Sequence, residues 1–328
     1  MKTAFLFPGQ GAQTIGMGAD IAHSYDIAAT VFEQANEILG FDLSRICFEG
    51  PDEELNSTAI SQPAIFTTSA AILEVLRTQE KTSNLIPDIT AGLSLGEYTA
   101  LYAAGIFSFE DALKLVQKRG QAMQAAADAN EGSMVSIIGL DEDKVHQLCE
   151  EVLEGGDEDD YNEQSDDEQM EVDFLLPVNF NCPGQIVVSG TKAACRRAKE
   201  LAPKYGAIKA VRLDVAGAFH TSMMASAAES LKEALSDCEI SSPSKIKIIT
   251  NINAEYYQNQ ETIADGLVKQ LTSPILWQKC MERLIDDGVD EFYEIGPGRV
   301  LTGLMKRINR KIKVNNISTA QSLSELIR

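Results

Sequence analysis

The sequence predicts an α/β fold in two parts, a large domain on a parallel sheet and a small subdomain inserted into it. Three observations carry that expectation. Short apolar runs alternate with stretches of 3.6-residue periodicity, the pattern of strands alternating with helices. One apolar run, Asp88-Ile89-Thr90-Ala91, leads straight into Gly92-Leu93-Ser94-Leu95-Gly96 and then into a helical pattern. The middle of the chain reads strand, helix, strand, strand, helix, strand.

In the large part, strands are expected at Thr3–Phe7, Ile89–Gly92, 247–251 and Glu291–Ile295. Helices are expected at 27–39, 61–77, 96–104, 109–127, 222–236 and 275–287, with Asp111 and Ser222 as cap or first-turn residues. In the middle, strands at 133–139, 175–181, 185–189 and 208–214 flank helices at 141–153 and 192–205. That order is the ferredoxin-like βαββαβ signature. Its ends would lie close together, so residues 130–215 are read as a subdomain interrupting a catalytic domain of 1–129 and 216–328.

Charge and cysteine usage exclude several functions. The chain has 328 residues, is 44% hydrophobic and carries a formal net charge of −21. A nucleic-acid partner needs a basic face, so none is expected. Eleven acidic residues between Glu154 and Asp173 supply about half of that charge without a compensating Lys or Arg. The segment reads as a solvated, disordered loop at about 154–173, in a connection that tolerates insertion. It lacks the ligand spacing of a calcium-binding loop. The six cysteines form no CxxC pair or zinc spacing, so no metal is expected and reduced, buried thiols are. The absence of an uninterrupted run of 18 apolar residues argues against a membrane span. The N-terminal apolar run is too short for a signal peptide, and Pro8-Gly9-Gln10-Gly11 follows it.

The chemistry concentrates at Gly92-Leu93-Ser94-Leu95-Gly96. A G-x-S-x-G between a strand and a helix is the context of a nucleophile elbow, which suggests an α/β-hydrolase-like large domain. The glycines permit a sharp turn, and the serine is presented at a helix N-terminus that favours negative charge. Serine needs a base, and the chain has only His23, His146 and His220. His23 lies in a polar stretch and His146 on an exposed helical face. His220 closes the apolar run Val215-Ala216-Gly217-Ala218-Phe219 and is the credible partner. Asp214 is too close in sequence to be trusted as a third member, and a backbone carbonyl can hold the imidazole instead. A second glycine turn, Phe7-Pro8-Gly9-Gln10-Gly11, would supply half of an oxyanion hole, with the Leu95 amide as the other half.

Eight segments together resemble the malonyl-CoA:acyl carrier protein transacylases, in that family's order and over nearly the whole chain. They are FPGQGAQ, SQPAI, GLSLGEYTAL, RGQAM, NFNCPGQIVVSG, GAFHTSMM, QLTSPILW and EIGPGRVLTGLMKRI. The resemblance implies Ser94 as the acylated nucleophile, His220 as general base and the carbonyl of Gln270 as its orienting acceptor. It implies the amides of Gln10 and Leu95 as the oxyanion hole, and Arg119 as the clamp on a malonyl carboxylate. Phe219 would crowd the acyl α-carbon and disfavour methylmalonyl, and Gln62 and Asn181 would lie near the substrate.

A ping-pong transfer from malonyl-CoA to the phosphopantetheine thiol of holo acyl carrier protein follows, without metal or bound cofactor, by a monomer serving fatty-acid synthesis. The rivals are a serine hydrolase and a non-catalytic scaffold. The acidic carrier would want a basic patch, for which 306–313 is a weak candidate, and the acidic insertion should point away from it. Leu93 stands where many bacterial members carry His. Three strings, GLSLGEYTAL, AMQAAADA and SMVSIIGLD, resemble plastid versions, so the plastid stroma is expected, with the bacterial cytoplasm as the alternative.

Overall fold

The computed structural model describes residues 2–155, 173–243 and 245–327. Two sheets organise them. The first is parallel, with strands β1 (Thr3–Phe7), β2 (Ile89–Gly92), β7 (Lys247–Ile248), β8 (Glu291–Ile295) and β9 (Val314–Ile317). Its order is β7-β2-β1-β8-β9. β1 and β2 are buried along their whole length, as expected of central parallel strands covered on both faces. The second sheet is antiparallel, with β3 (Gly132–Ile138), β4 (Leu175–Cys182), β5 (Gln185–Thr191) and β6 (Lys209–Arg212). Its order, β4-β5-β3-β6, is that of a ferredoxin-like βαββαβ unit.

The period-2 alternation of β3 explains how the small sheet serves two environments. Val135 and Ile137 join Val145, Leu148 and Ala194 in a core between the sheet and its own helices, Glu142–Glu154 and Lys192–Leu201. Met134 and Ser136, on the other face, line the main pocket.

Helix Phe109–Ala129 starts at Ser108, whose hydroxyl accepts from the Asp111 amide, so Asp111 lies in the first turn rather than at the cap. The helix packs closely on helix Thr58–Thr78. At Gly120 a Cβ would lie 2.7 Å from the Thr58 carbonyl oxygen, so only glycine allows this approach. The approach brings Arg119 against Gln62. Thr58–Thr78 is long and apolar enough by composition to cross a membrane, but 83% of its most apolar window is buried inside the protein. It is therefore a core helix.

Four expected boundaries are corrected. Helix Thr58–Thr78 begins one turn before Ser61 and contains Pro63. The helix expected from residue 222 opens with a 3-10 turn, Ser222–Met224, capped by Thr221, so Ser222 is a first-turn residue and the α-helix starts at Ala225. β7 stops at Ile248 instead of continuing to Asn251, because the chain turns back to pair Ile249 with Tyr256. The last helix expected before β8 begins at Trp277, because Ile275 is engaged by the backbone of Val178 and Phe180 in β4. The expected disordered loop at 154–173 falls, for residues 156–172, outside the described residues.

Candidate active site

The loops at the C-terminal ends of β1 and β2 build the floor of a cavity of about 400 Å³, whose far wall is the small sheet. Crevices at the carboxyl ends of parallel strands are the usual ligand sites of open α/β sheets. Ser94 sits in the turn between β2 and helix Gly96–Ala103 with φ of 51°, in the left-handed region. That turn needs its glycines. A Cβ on Gly92 would lie 1.9 Å from the Gly96 carbonyl, and one on Gly9 would lie 2.2 Å from the Leu93 oxygen. His220 also has a positive φ, 62°. Two non-glycine residues held in a sparsely populated region and facing each other are the backbone strain expected of a reactive site.

Ser94 Oγ lies 3.0 Å from His220 Nε2. His220 Nδ1 lies 2.8 Å from the carbonyl oxygen of Gln270. The carbonyl can only accept, so Nδ1 carries the proton and Nε2 is free to take one from the serine. Burial pushes the imidazole down to about 4, with the nearby Arg119 charge acting in the same direction, so it is neutral at physiological pH.

Arg119 is 1% exposed. It donates from Nη2 to Ser94 Oγ at 3.0 Å and to Gln270 Oε1 at 3.0 Å, and from Nη1 to Gln62 Oε1 at 2.7 Å. Its guanidinium also lies 5.3 Å from the centroid of the Tyr98 ring. Among the described residues no carboxylate is within ion-pair distance of it. A buried cation held only by neutral groups is costly unless an anion arrives.

Gln10 lines the cavity, and Leu95 begins helix Gly96–Ala103. Neither backbone amide has an acceptor among the described residues. Two amide donors beside a serine, one at a helix N-terminus, can hold a developing oxyanion.

Phe219 and Asn181 line the cavity, Asn181 with a buried side-chain oxygen that has no protein partner among the described residues. Gln62 is fully buried behind Arg119 and is absent from the lining, so it touches the guanidinium rather than the cavity. The other two histidines lie elsewhere. His23 Nδ1 bonds the Ala19 carbonyl on its own helix, and His146 is exposed. Asp214 lies at the exposed rim of the cavity. Within the basic 306–313 stretch, Arg307 is tied to Gln185 and to the carbonyls of Pro183 and Gly184.

Sequence reasoning assigned nothing to Asn251, Glu97 and Tyr257. Asn251 Oδ1 accepts the Ser94 amide at 2.7 Å, and its Nδ2 donates to the Gly92 carbonyl at 2.8 Å. It thus holds both sides of the elbow. Glu97 accepts from Tyr257 Oη and Gln270 Nε2, each at 2.6 Å, and burial pushes its carboxyl up to about 7. The one available signal was Glu97 itself, an acid in an otherwise apolar stretch of helix.

Comparison with known proteins identifies the family. The family model described as the acyl transferase domain matches residues 4–328. The malonyl CoA-acyl carrier protein transacylase of Bacillus subtilis (strain 168) is 42% identical over 327 residues, covering 100% of this chain and 96% of the relative. The acyl-carrier-protein-S-malonyltransferase of Bartonella henselae superposes with a TM-score of 0.90 at 39% identity, covering 100% and 99% of the two chains. A malonyl-transacylase solved in complex with its type II PKS acyl-carrier protein superposes with a TM-score of 0.89 at 36% identity, with the same coverage. The Bacillus subtilis and Staphylococcus aureus relatives are bacterial, which gives the plastid expectation no support and agrees with its alternative.

Proposed function

The chain belongs to the acyl transferase domain family, and from that premise we propose that it transfers malonyl from malonyl-CoA to the phosphopantetheine thiol of acyl carrier protein. The observation that carries the choice of acyl group is Arg119. It is a buried cation without a carboxylate partner among the described residues, and its Nη2 is 3.0 Å from the hydroxyl that would be acylated. That spacing suits an acyl group whose second carboxylate lies very near the thioester. A guanidinium offers such a carboxylate two parallel donors. Acetyl or a long neutral chain would leave the cation unpaired, which counts against the hydrolase reading.

The steps follow from the hydrogen-bond directions. His220 Nε2 takes the Ser94 proton as Oγ attacks the thioester carbonyl, and the Gln10 and Leu95 amides receive the oxyanion. The tetrahedral adduct collapses, the C–S bond breaks, and the coenzyme A sulfur leaves with the proton from His220. The carrier thiol then gives its proton to the same nitrogen and attacks the malonyl-serine ester, returning Ser94 to its hydroxyl. Gln270 holds the imidazolium through Nδ1 in both halves. Phe219 narrows the cavity beside His220 and disfavours a branched acyl group. Nothing in these steps calls for a metal or bound cofactor. We read the protein as a monomer of the bacterial cytoplasm that supplies malonyl carrier protein to fatty-acid synthesis.

Intact mass after brief incubation with malonyl-CoA tests the reading. A malonyl adduct on the wild type and none on Ser94→Ala is expected. No adduct on the wild type, or an equal adduct on Ser94→Ala, would overturn it.

A further inference from the structure

Glu97 takes no part in the steps above, yet it is 1% exposed and lies directly behind the reacting groups. Three donors converge on its carboxylate: Tyr257 Oη at 2.6 Å, Gln270 Nε2 at 2.6 Å and the Asn251 amide at 3.2 Å. No basic side chain is within ion-pair distance of it among the described residues. Burying an acid this way is costly, and a hydrophobic residue would serve the core better.

The use of the acid lies in what Gln270 does. The Gln270 carbonyl orients His220, its Oε1 accepts from Arg119 at 3.0 Å, and its Nε2 also donates to the Ser94 carbonyl at 3.0 Å. A primary amide has nearly the same shape either way round, so its partners decide its orientation. Flipped, the Gln270 NH2 would face the Arg119 guanidinium, donor against donor. Its oxygen would face Glu97. A carboxylate is acceptor-only, so it forbids that second contact. A glutamine in place of Glu97 would permit it, leaving only Arg119 and the Ser94 carbonyl to oppose the flip.

We infer that Glu97 is a positioning residue, locking the Gln270 side-chain amide with its oxygen toward Arg119 and so fixing the guanidinium that selects the acyl carboxylate. This deepens the function proposed above and rests on it. The lock requires the ionised acid. The charged and titratable groups facing Glu97 are Arg119 and Tyr98 from their helices, Tyr257 from the segment after β7, Cys280 from helix Trp277–Asp286 and His220 beyond Gln270. Tyr257 and Cys280 are raised well above their ordinary values, all three acids other than Glu97 are held up by burial, and His220 is pushed down to about 4. A transition near neutrality in the selection of acyl groups therefore belongs to Glu97.

The test is competitive loading from mixed malonyl-CoA and acetyl-CoA, read as the ratio of the two adducts by intact mass from pH 6 to 8. The wild-type ratio is expected to fall as pH drops through about 7. Glu97→Gln, which keeps the volume, is expected to lower it about tenfold at pH 8, the scale of one charge-assisted hydrogen bond, and to flatten its pH dependence. Malonyl loading should fall more than acetyl loading, and Glu97→Asp should restore part of the preference. A generally structural role would lower both loadings together. In a Gln270→Met background there is no amide to lock, so Glu97→Gln should have no further effect on the ratio. A folded Glu97→Gln with an unchanged ratio would overturn the inference and leave the proposed function standing. If that variant does not fold, a wild-type ratio flat across the pH range overturns it equally. A wild type that forms no adduct removes both.

Discussion

The floor and the far wall of the cavity are both polar, but they are wired differently. On the floor, Ser94, His220, Arg119, Gln270, Asn251 and Glu97 exchange hydrogen bonds among themselves. On the wall, Asn181 of the small sheet presents a buried oxygen with no protein partner among the described residues. A buried network whose members hold one another is rigid, even with Arg119 Nε lacking a protein partner among the described residues, and rigidity is what positions charge for a reaction before substrate arrives. An unsatisfied buried group is expensive in the free protein and gains when a ligand supplies its partner. The floor therefore carries both the proposed chemistry and the proposed carboxylate clamp, while the wall is suited to binding alone.

Three substitutions or conditions sharpen that contrast, from the largest effect to the smallest. Arg119→Ala should reduce the rate of malonyl loading by on the order of 10²-fold and abolish the preference over acetyl. Measured kcat/KM for the two thioesters checks this, and a retained preference would mean the clamp lies elsewhere.

The His220 environment predicts pH behaviour of defined sign. The unfolded imidazole takes a proton below about 6.5, while the folded one resists until about 4. The stability contributed by neutral His220 is therefore complete above 6.5 and lost as pH falls toward 4, by roughly 3 kcal/mol at most. Likewise the acid limb of kcat/KM, which reports the free enzyme, should fall at about 4 rather than 6.5. It should move upward in Arg119→Ala, because the neighbouring cation is gone. An acid limb at 6.5 in the wild type would mean that the imidazole is open to water.

Asn181→Ala should raise KM for malonyl-CoA by only about three- to tenfold with kcat nearly unchanged, and should leave the fold as stable or slightly more so. A loss confined to kcat would place Asn181 with the floor and dissolve the contrast.

The same division separates what was legible in the chain. β1, β2 and β8 were readable to the residue, because each is a short, largely apolar and buried run with a glycine at or just past its end, although β8 also carries Glu291 and Glu294. β9 was not, since Val-Asn-Asn-Ile at a sheet edge carries polar residues that its neighbours alone make sense of. β7 was read too long, because its end is diverted to bring Asn251 to the elbow.

The sequence by itself determined the α/β class, the βαββαβ insertion, the serine elbow and the histidine that serves it. Each is written in local periodicity, glycine placement or the scarcity of a residue type. Only the tertiary structure decided that Gln62 holds Arg119 from behind, that Asn251 grips the elbow and that Glu97 sits against Gln270. Those bonds join residues 57, 157 and 173 positions apart, and no local pattern encodes a hydrogen bond that exists only once helices and strands have packed.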